Sequence, residues 1–265
     1  MTEPVVALLD QIWSSIEELS ASFTPAEWRM PTELPGWSVQ DQLSHLCGIE
    51  SKLLGRPQPE PLPKPWPPHV RNELGAMNEA QVAARRDWPG EDVLTEFLEL
   101  TAERLKILAE MSDDQMAAET QGVMGAAALR DVLAIRAIDC FYHEQDMRVA
   151  TGKPGAMDGE AAAFAVARMA AALPMIVAKK ATLNDGTVVA FEVTGPSGFA
   201  TVIAVKDGRG SRAEPGTPAD AAVTMDALTF VRLIGGRISS SEAAFDVTGD
   251  RAVALAVLNS INVMF

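Results

Sequence analysis

The hydrophobic pattern of this chain changes period once. Up to about residue 150, apolar residues recur at spacings of three and four, as amphipathic helices require; past Thr151-Gly152-Lys153-Pro154-Gly155 they gather into short β-favouring runs. The glycine and the proline in that segment end the last helical pattern. The switch predicts two domains, a helical one over 1–153 and a small α+β one over 154–265. A length of 265 residues, near the upper end for a single hydrophobic core, agrees.

In the first part, Leu9, Ile12, Ile16, Leu19 and Phe23 mark one face of a helix. Thr24, Pro25 and Glu27 read as the capped opening of a short second segment, and Ser38 with Asp41 opens a helix carrying Val39, Leu43, Leu46, Ile49 and Leu53. Prolines at 57, 59, 61, 63, 65, 67 and 68 impose an extended loop. Met77, Val82 and Trp88, then Leu94, Phe97, Leu98, Thr101, Leu105 and Leu108, predict two more helices. A longer one is predicted from about Ala126 to Val149, where positions 129, 133, 136, 140, 143 and 147 trace a stripe reading Leu, Leu, Arg, Cys, His, Met. In the second part, an alanine-rich helix over 158–179 precedes strands at 187–193 and 201–205, joined by the hairpin signal Gly195-Pro196-Ser197-Gly198. Further strands at 222–225 and 244–247, a helix at 226–235 and another from Asp250 to the end complete a small sheet covered by helices.

The 36 acidic residues against 22 basic ones give a net charge of -14, a field that repels phosphate backbones and anionic headgroups, so nucleic acid is not an expected partner. Met1-Thr2-Glu3-Pro4 lacks a basic leader, and no apolar run is expected to reach the roughly 18 residues that span a bilayer, so the chain is read as cytoplasmic, without a membrane partner. Cys47 and Cys140 fall within helical patterns and read as small buried hydrophobes in a reducing compartment.

Two of the three histidines lie on apolar helix faces. Asp139 and His143, four residues apart, project from one helix face, so a carboxylate and an imidazole at that spacing can close on one cation, with His45 from another helix as third ligand. Three protein ligands in a helical bundle leave positions open for water or substrate. The competing reading is a plain polar cluster in which Asp139 and His143 pair with each other or with Arg136. Asp146, three residues past His143, is placed behind the ligands as acceptor for the second imidazole nitrogen or for an arginine, or else is an exposed acid at a helix end. His69 reads as a solvated loop histidine or as a residue at the mouth of the site.

Leu34-Pro35-Gly36-Trp37-Ser38-Val39-Gln40-Asp41-Gln42-Leu43-Ser44-His45-Leu46 and Ile138-Asp139-Cys140-Phe141-Tyr142-His143-Glu144-Gln145-Asp146-Met147-Arg148 resemble the two motifs of the mycothiol-dependent maleylpyruvate isomerase family of actinobacteria, in order and in separation. The resemblance extends through Asn78-Glu79 and Arg85-Arg86 and into the second domain. It implies a DinB-like four-helix bundle followed by a sterol-carrier-like α+β domain, the latter signalled by Asp220-Ala221-Ala222-Val223-Thr224-Met225, Gly235-Gly236-Arg237 and Thr248-Gly249-Asp250. It places zinc on His45, Asp139 and His143; Arg136, on the same stripe, is read with Asp146 as a residue that supports them. The family has glutamate at the middle position, so Asp139 departs from it and leaves nickel or another divalent metal open. It also implies that the metal holds the mycothiol sulfur as a thiolate, which adds to an electrophilic carbon of a small substrate, and that an arginine of the second domain meets substrate carboxylates; Arg237 is the candidate, the competing reading being a surface charge after a helix.

The function expected is thus a metal- and mycothiol-dependent isomerase or S-transferase, maleylpyruvate isomerisation being one case, in a monomer or homodimer. The reading from another class is a non-catalytic protein whose second domain binds a lipid or other small apolar molecule.

Overall fold

The computed structural model describes residues 3–123 and 125–264. The sequence reading of the leader therefore falls partly outside the described residues, at Met1 and Thr2. The chain divides into two compact units, Met1–Gly155 and Ala156–Phe265.

The first unit is built on four long helices, α1 (Pro4–Ala21), α3 (Val39–Leu53), α5 (Gly90–Ala109) and α7 (Leu129–Thr151), with shorter α2 (Pro25–Trp28), α4 (Glu73–Ala83) and α6 (Asp113–Ala117) between them. α1 packs on α5 and α7, and α3 packs on the same two, which closes a four-helix ring; α4 covers the outside of α3. Capping boxes start the elements where expected, Thr24 with Glu27 at α2 and Ser38 with Asp41 at α3. α7 ends on Gly152 in the left-handed conformation (φ 64°), a glycine stop.

Three expectations are corrected. α7 begins at Leu129, not at Ala126, because Gly125–Ala128 forms β2 and pairs antiparallel with β1 (Glu119–Gly122). The alanines favour a helix, but the hairpin pairing and Gly125 at φ 105° decide the local structure. α4 stops at Ala83, so Trp88 lies beyond it, exposed, in the turn before Pro89 caps α5. In the second unit, the helical stretch Glu160–Lys180 is 21 residues long and, by length and composition alone, apolar enough to cross a membrane. Its buried residues, among them Ala162, Ala165, Val166, Leu173, Ile176 and Val177, belong to the core of that unit.

That stretch comprises α8 (Glu160–Ala170), α9 (Leu173–Met175) and a π-helical turn (Ile176–Lys180). Strands β3 (Val188–Thr194), β4 (Phe199–Lys206), β5 (Arg209–Arg212), β6 (Ala221–Asp226) and β7 (Asp246–Gly249) form one sheet in the order β5-β4-β3-β6-β7, with α10 (Ala227–Ile234) and α11 (Arg251–Leu258) packed on it. β3 and β6 run parallel; the other neighbours are antiparallel. Alternation puts Val189, Phe191 and Val193 of β3 and Ala221, Val223 and Met225 of β6 on the buried face, against Phe230, Ile234, Val257 and Leu258 of the helices.

Candidate metal centre

α3 is buried on nearly all sides because α5, α7 and α4 surround it, so its polar residues Gln40, Gln42, Ser44, His45 and Glu50 are interior. Across from it, the stripe of α7 buries Leu133, Arg136, Cys140, His143 and Met147. Asp139 lies at the edge of that stripe, with 32% of its side chain exposed.

The two imidazoles meet across the α3–α7 interface with ring centroids 4.6 Å apart. Asp139 sits between them: His45 Nε2 is 3.5 Å from its Oδ2 and His143 Nε2 is 3.4 Å from its Oδ1. One ligand atom from each of the three residues lies within 4.8 Å of both others. These separations are too long for good N–H···O hydrogen bonds. They run to different oxygens of the Asp139 carboxylate, and each is near the roughly 3.4 Å between neighbouring ligands bound at about 2.1 Å in a tetrahedron. The donor set of two imidazoles and one carboxylate fits a divalent cation in chemistry, and its atoms lie close enough together to be drawn onto one ion.

Protonation agrees. Burial pushes the His45 imidazole down to about 4, against the opposing pull of Asp139, so His45 is neutral at neutral pH with a lone pair to offer. Burial raises the Asp139 pKa, but His143, His45 and Arg136 outweigh it and hold the carboxyl well below its usual range.

Behind the candidate ligands, other buried side chains hold His143 and Asp139, while His45 Nδ1 has no hydrogen-bond partner among the described residues. Gln42 Oε1 lies 2.5 Å from His143 Nδ1, and an amide oxygen only accepts, so Nδ1 carries the proton and Nε2 is left free. The Gln42 amide nitrogen donates in turn to Thr32 Oγ1 at 2.7 Å. Asp146, buried on α7, stands at 3.7 Å from the same Nδ1, beyond hydrogen-bond reach. Arg136 donates from Nη1 to Asp139 Oδ2 and from Nε to Glu50 Oε1 at 2.7 Å, while Arg104 Nε donates to Glu50 Oε2 at 3.0 Å. Trp37 lies against both imidazoles, its ring centroid 5.2 Å from that of His45 and 6.0 Å from that of His143.

The family model described as the mycothiol maleylpyruvate isomerase N-terminal domain matches residues 9–148, and that described as the MDMPI C-terminal domain matches residues 163–256. The chain belongs to the mycothiol maleylpyruvate isomerase family. A crystal structure of the mycothiol-dependent maleylpyruvate isomerase is similar at a TM-score of 0.55 and 16% identity, covering 94% of this chain and 95% of the other. A second, of a histidine-to-alanine mutant of that enzyme, gives 0.53 and 16% over 93% and 95%. At that identity they report the fold, a helical domain followed by a sheet domain. Comparison with curated proteins finds no match.

Residues outside the cluster fall elsewhere. His69 is half-buried and lies 3.0 Å from Glu79 Oε2. Cys47 and Cys140 are free and buried; burial pushes the Cys140 thiol up to about 12 and the Cys47 thiol well above its ordinary value, so neither is a thiolate. Arg237 belongs to the second unit, where its Nη1 donates to the Gly235 carbonyl at 2.9 Å. Trp37, Gln42 and Glu79 stand in the segments that carry the family resemblance but were given no role from sequence, and Glu50 was not singled out at all. The signal available for Gln42 was its position three residues before His45, on the same helix face.

Proposed function

We propose that this chain is a divalent-metal enzyme that uses mycothiol to act on a small electrophilic substrate, as an isomerase or an S-transferase. The observation that carries the reading is the convergence of His45 Nε2, Asp139 and His143 Nε2 at 3.4–3.5 Å within a buried interface. A cation held there, zinc or nickel among the candidates, supplies the Lewis acidity that ionises a thiol near neutral pH. The chain's own residues do the rest. Gln42 fixes the His143 tautomer, Arg136 orients Asp139 by donating to it, and the Trp37 ring lies beside both imidazoles.

In the isomerase case, a thiolate adds to an activated carbon–carbon double bond, the resulting single bond rotates, and expulsion of the same thiolate restores the double bond in the trans form. In the transferase case the adduct is the product. Arg237, with its planar guanidinium, is the residue proposed to recognise a substrate carboxylate. Asp146 and Arg136 are proposed to support the ligands.

The test is elemental analysis of the purified protein together with assays against thiol-reactive electrophiles, maleylpyruvate included, with and without mycothiol. One divalent ion per chain and mycothiol-dependent turnover are expected; a chain that takes no ion after supplementation overturns the reading. The alternative, binding of an apolar molecule by the second unit, would be favoured by an enclosed apolar tunnel between its sheet and helices. A depression of about 450 Å³ beside the ends of β3 and β6 is open, and Thr194, Thr224, Asp226 and Asp246 are among its lining residues.

A further inference from the structure

Glu79, on α4, is a carboxylate buried to 3% exposure that touches none of the three candidate ligands. Burying a carboxylate costs several kcal/mol unless donors compensate. Here they come from three separate segments. Trp37 Nε1 donates to Oε2 at 2.8 Å, His69 Nε2 lies 3.0 Å from the same oxygen, and Arg86 Nη2 is 2.8 Å from Oε1. Arg86 Nε reaches on to Asp41 Oδ1 at 3.3 Å, and Asp41 belongs to the capping box that opens α3, the helix bearing Gln42 and His45. Burial raises the Glu79 pKa, and the Trp37 and His69 hydrogen bonds with the Arg86 charge more than offset it, so the group stays ionised.

The neighbouring backbone is shaped for the same contact. Gly36 adopts φ 83°, and a Cβ there would stand 2.6 Å from His69 Nδ1, so only glycine lets the His69 ring lie flat against the segment leading into Trp37. His69 is the first residue past the proline-rich loop. The loop exit, the Trp37 indole and α4 are thereby held on one carboxylate, and the indole so held has its centroid 5.2 Å from the His45 ring and 6.0 Å from the His143 ring.

We propose that Glu79 is a positioning residue of the His45–Asp139–His143 centre: acting through Trp37 and His69, it fixes the aromatic wall against which both ligand imidazoles are oriented. The inference deepens the metal-enzyme reading and rests on it for its catalytic meaning, but not for its geometry. A buried apolar residue would serve packing alone as well or better. What it could not do is orient an indole N–H and an imidazole N–H toward one point.

The test uses the full chain, first without metal. The five tryptophans give five indole N–H signals in a nitrogen-correlated NMR spectrum, and Trp37→Phe identifies that of Trp37. In Glu79→Ala, solvent exchange of the Trp37 indole proton is expected to quicken at least roughly tenfold, and the ring signals of His45 and His143 to move. Cobalt(II) titration is then expected to give an affinity about 10-fold to 100-fold weaker, the range for losing an outer support of a metal ligand. Glu79→Gln keeps the shape and one acceptor, and is expected to lie between wild type and Glu79→Ala in all three readouts; it carries the test if the alanine variant does not fold. Imidazole signals and Trp37 exchange that stay as in wild type overturn the proposal. Wild-type protein that binds no cobalt removes the metal reading, while shifted imidazole signals in the variants still uphold the positioning role.

Discussion

Gln42 carries the choice of tautomer at His143, because an amide oxygen at 2.5 Å from Nδ1 can only accept and so leaves Nε2, on the side of Asp139, without a proton. Replacing it with alanine leaves the imidazole free to rotate and to take the other tautomer. Gln42→Ala is expected to weaken divalent-ion binding about 10-fold to 100-fold with the far-ultraviolet circular dichroism unchanged, as read by competition against a chromophoric chelator. His45 sets the acid limit of the metal-free protein. Its pKa is near 4 when folded against 6.5 for an exposed imidazole, so between those values the unfolded chain binds more protons than the folded one. Stability is therefore complete above about pH 6.5 and is lost as pH falls toward 4, by about 3 kcal/mol. Urea midpoints of the chelator-treated protein across that window check this, and His45→Leu is expected to flatten the slope. His45, Asp139 and His143 were legible in the sequence because imidazoles on apolar stripes stand out. Gln42, Glu50 and Glu79 were not, because α3 and α4 bury polar residues on several faces and no period separates inside from outside.

At the scale of elements, one carboxylate links three helices. Glu50 of α3, 0% exposed, receives Arg104 of α5 and Arg136 of α7, and Arg136 passes the link to Asp139. Removing one member of such a buried set strands the others. Glu50→Ala is expected to cost about 3–5 kcal/mol in denaturant unfolding, whereas an exposed pair such as Arg56–Glu103 is expected to contribute at most about 1 kcal/mol. The four long helices were readable from their periods and caps, and four of the five strands of the larger sheet from β-favouring runs; β5, Arg-Gly-Ser-Arg, has no such run and was not. Nor was the β1–β2 hairpin, since neither Glu-Thr-Gln-Gly nor Gly-Ala-Ala-Ala is a β-favouring run and only their pairing makes them strands.

For the whole molecule, the candidate ligands and Gln42, Arg136, Glu50, Trp37 and Glu79 all belong to the first unit, which has its own apolar core in Leu9, Ile16, Leu43, Phe97 and Phe141. A chain ending at Gly155 is expected to bind a divalent ion with the affinity of the full protein, measured by calorimetry. A loss of affinity beyond about tenfold would place part of the centre in the second unit.

Asp139 is partly exposed beside two imidazoles that are nearly sealed. In the proposed enzyme its carboxylate edge is the approach for both a stripping agent and an incoming thiol, which then compete for a doorway as well as for an ion. Saturating thiol is accordingly expected to slow removal of the cation by a bulky chelator more than by a small one, a difference that stopped-flow release kinetics would reveal.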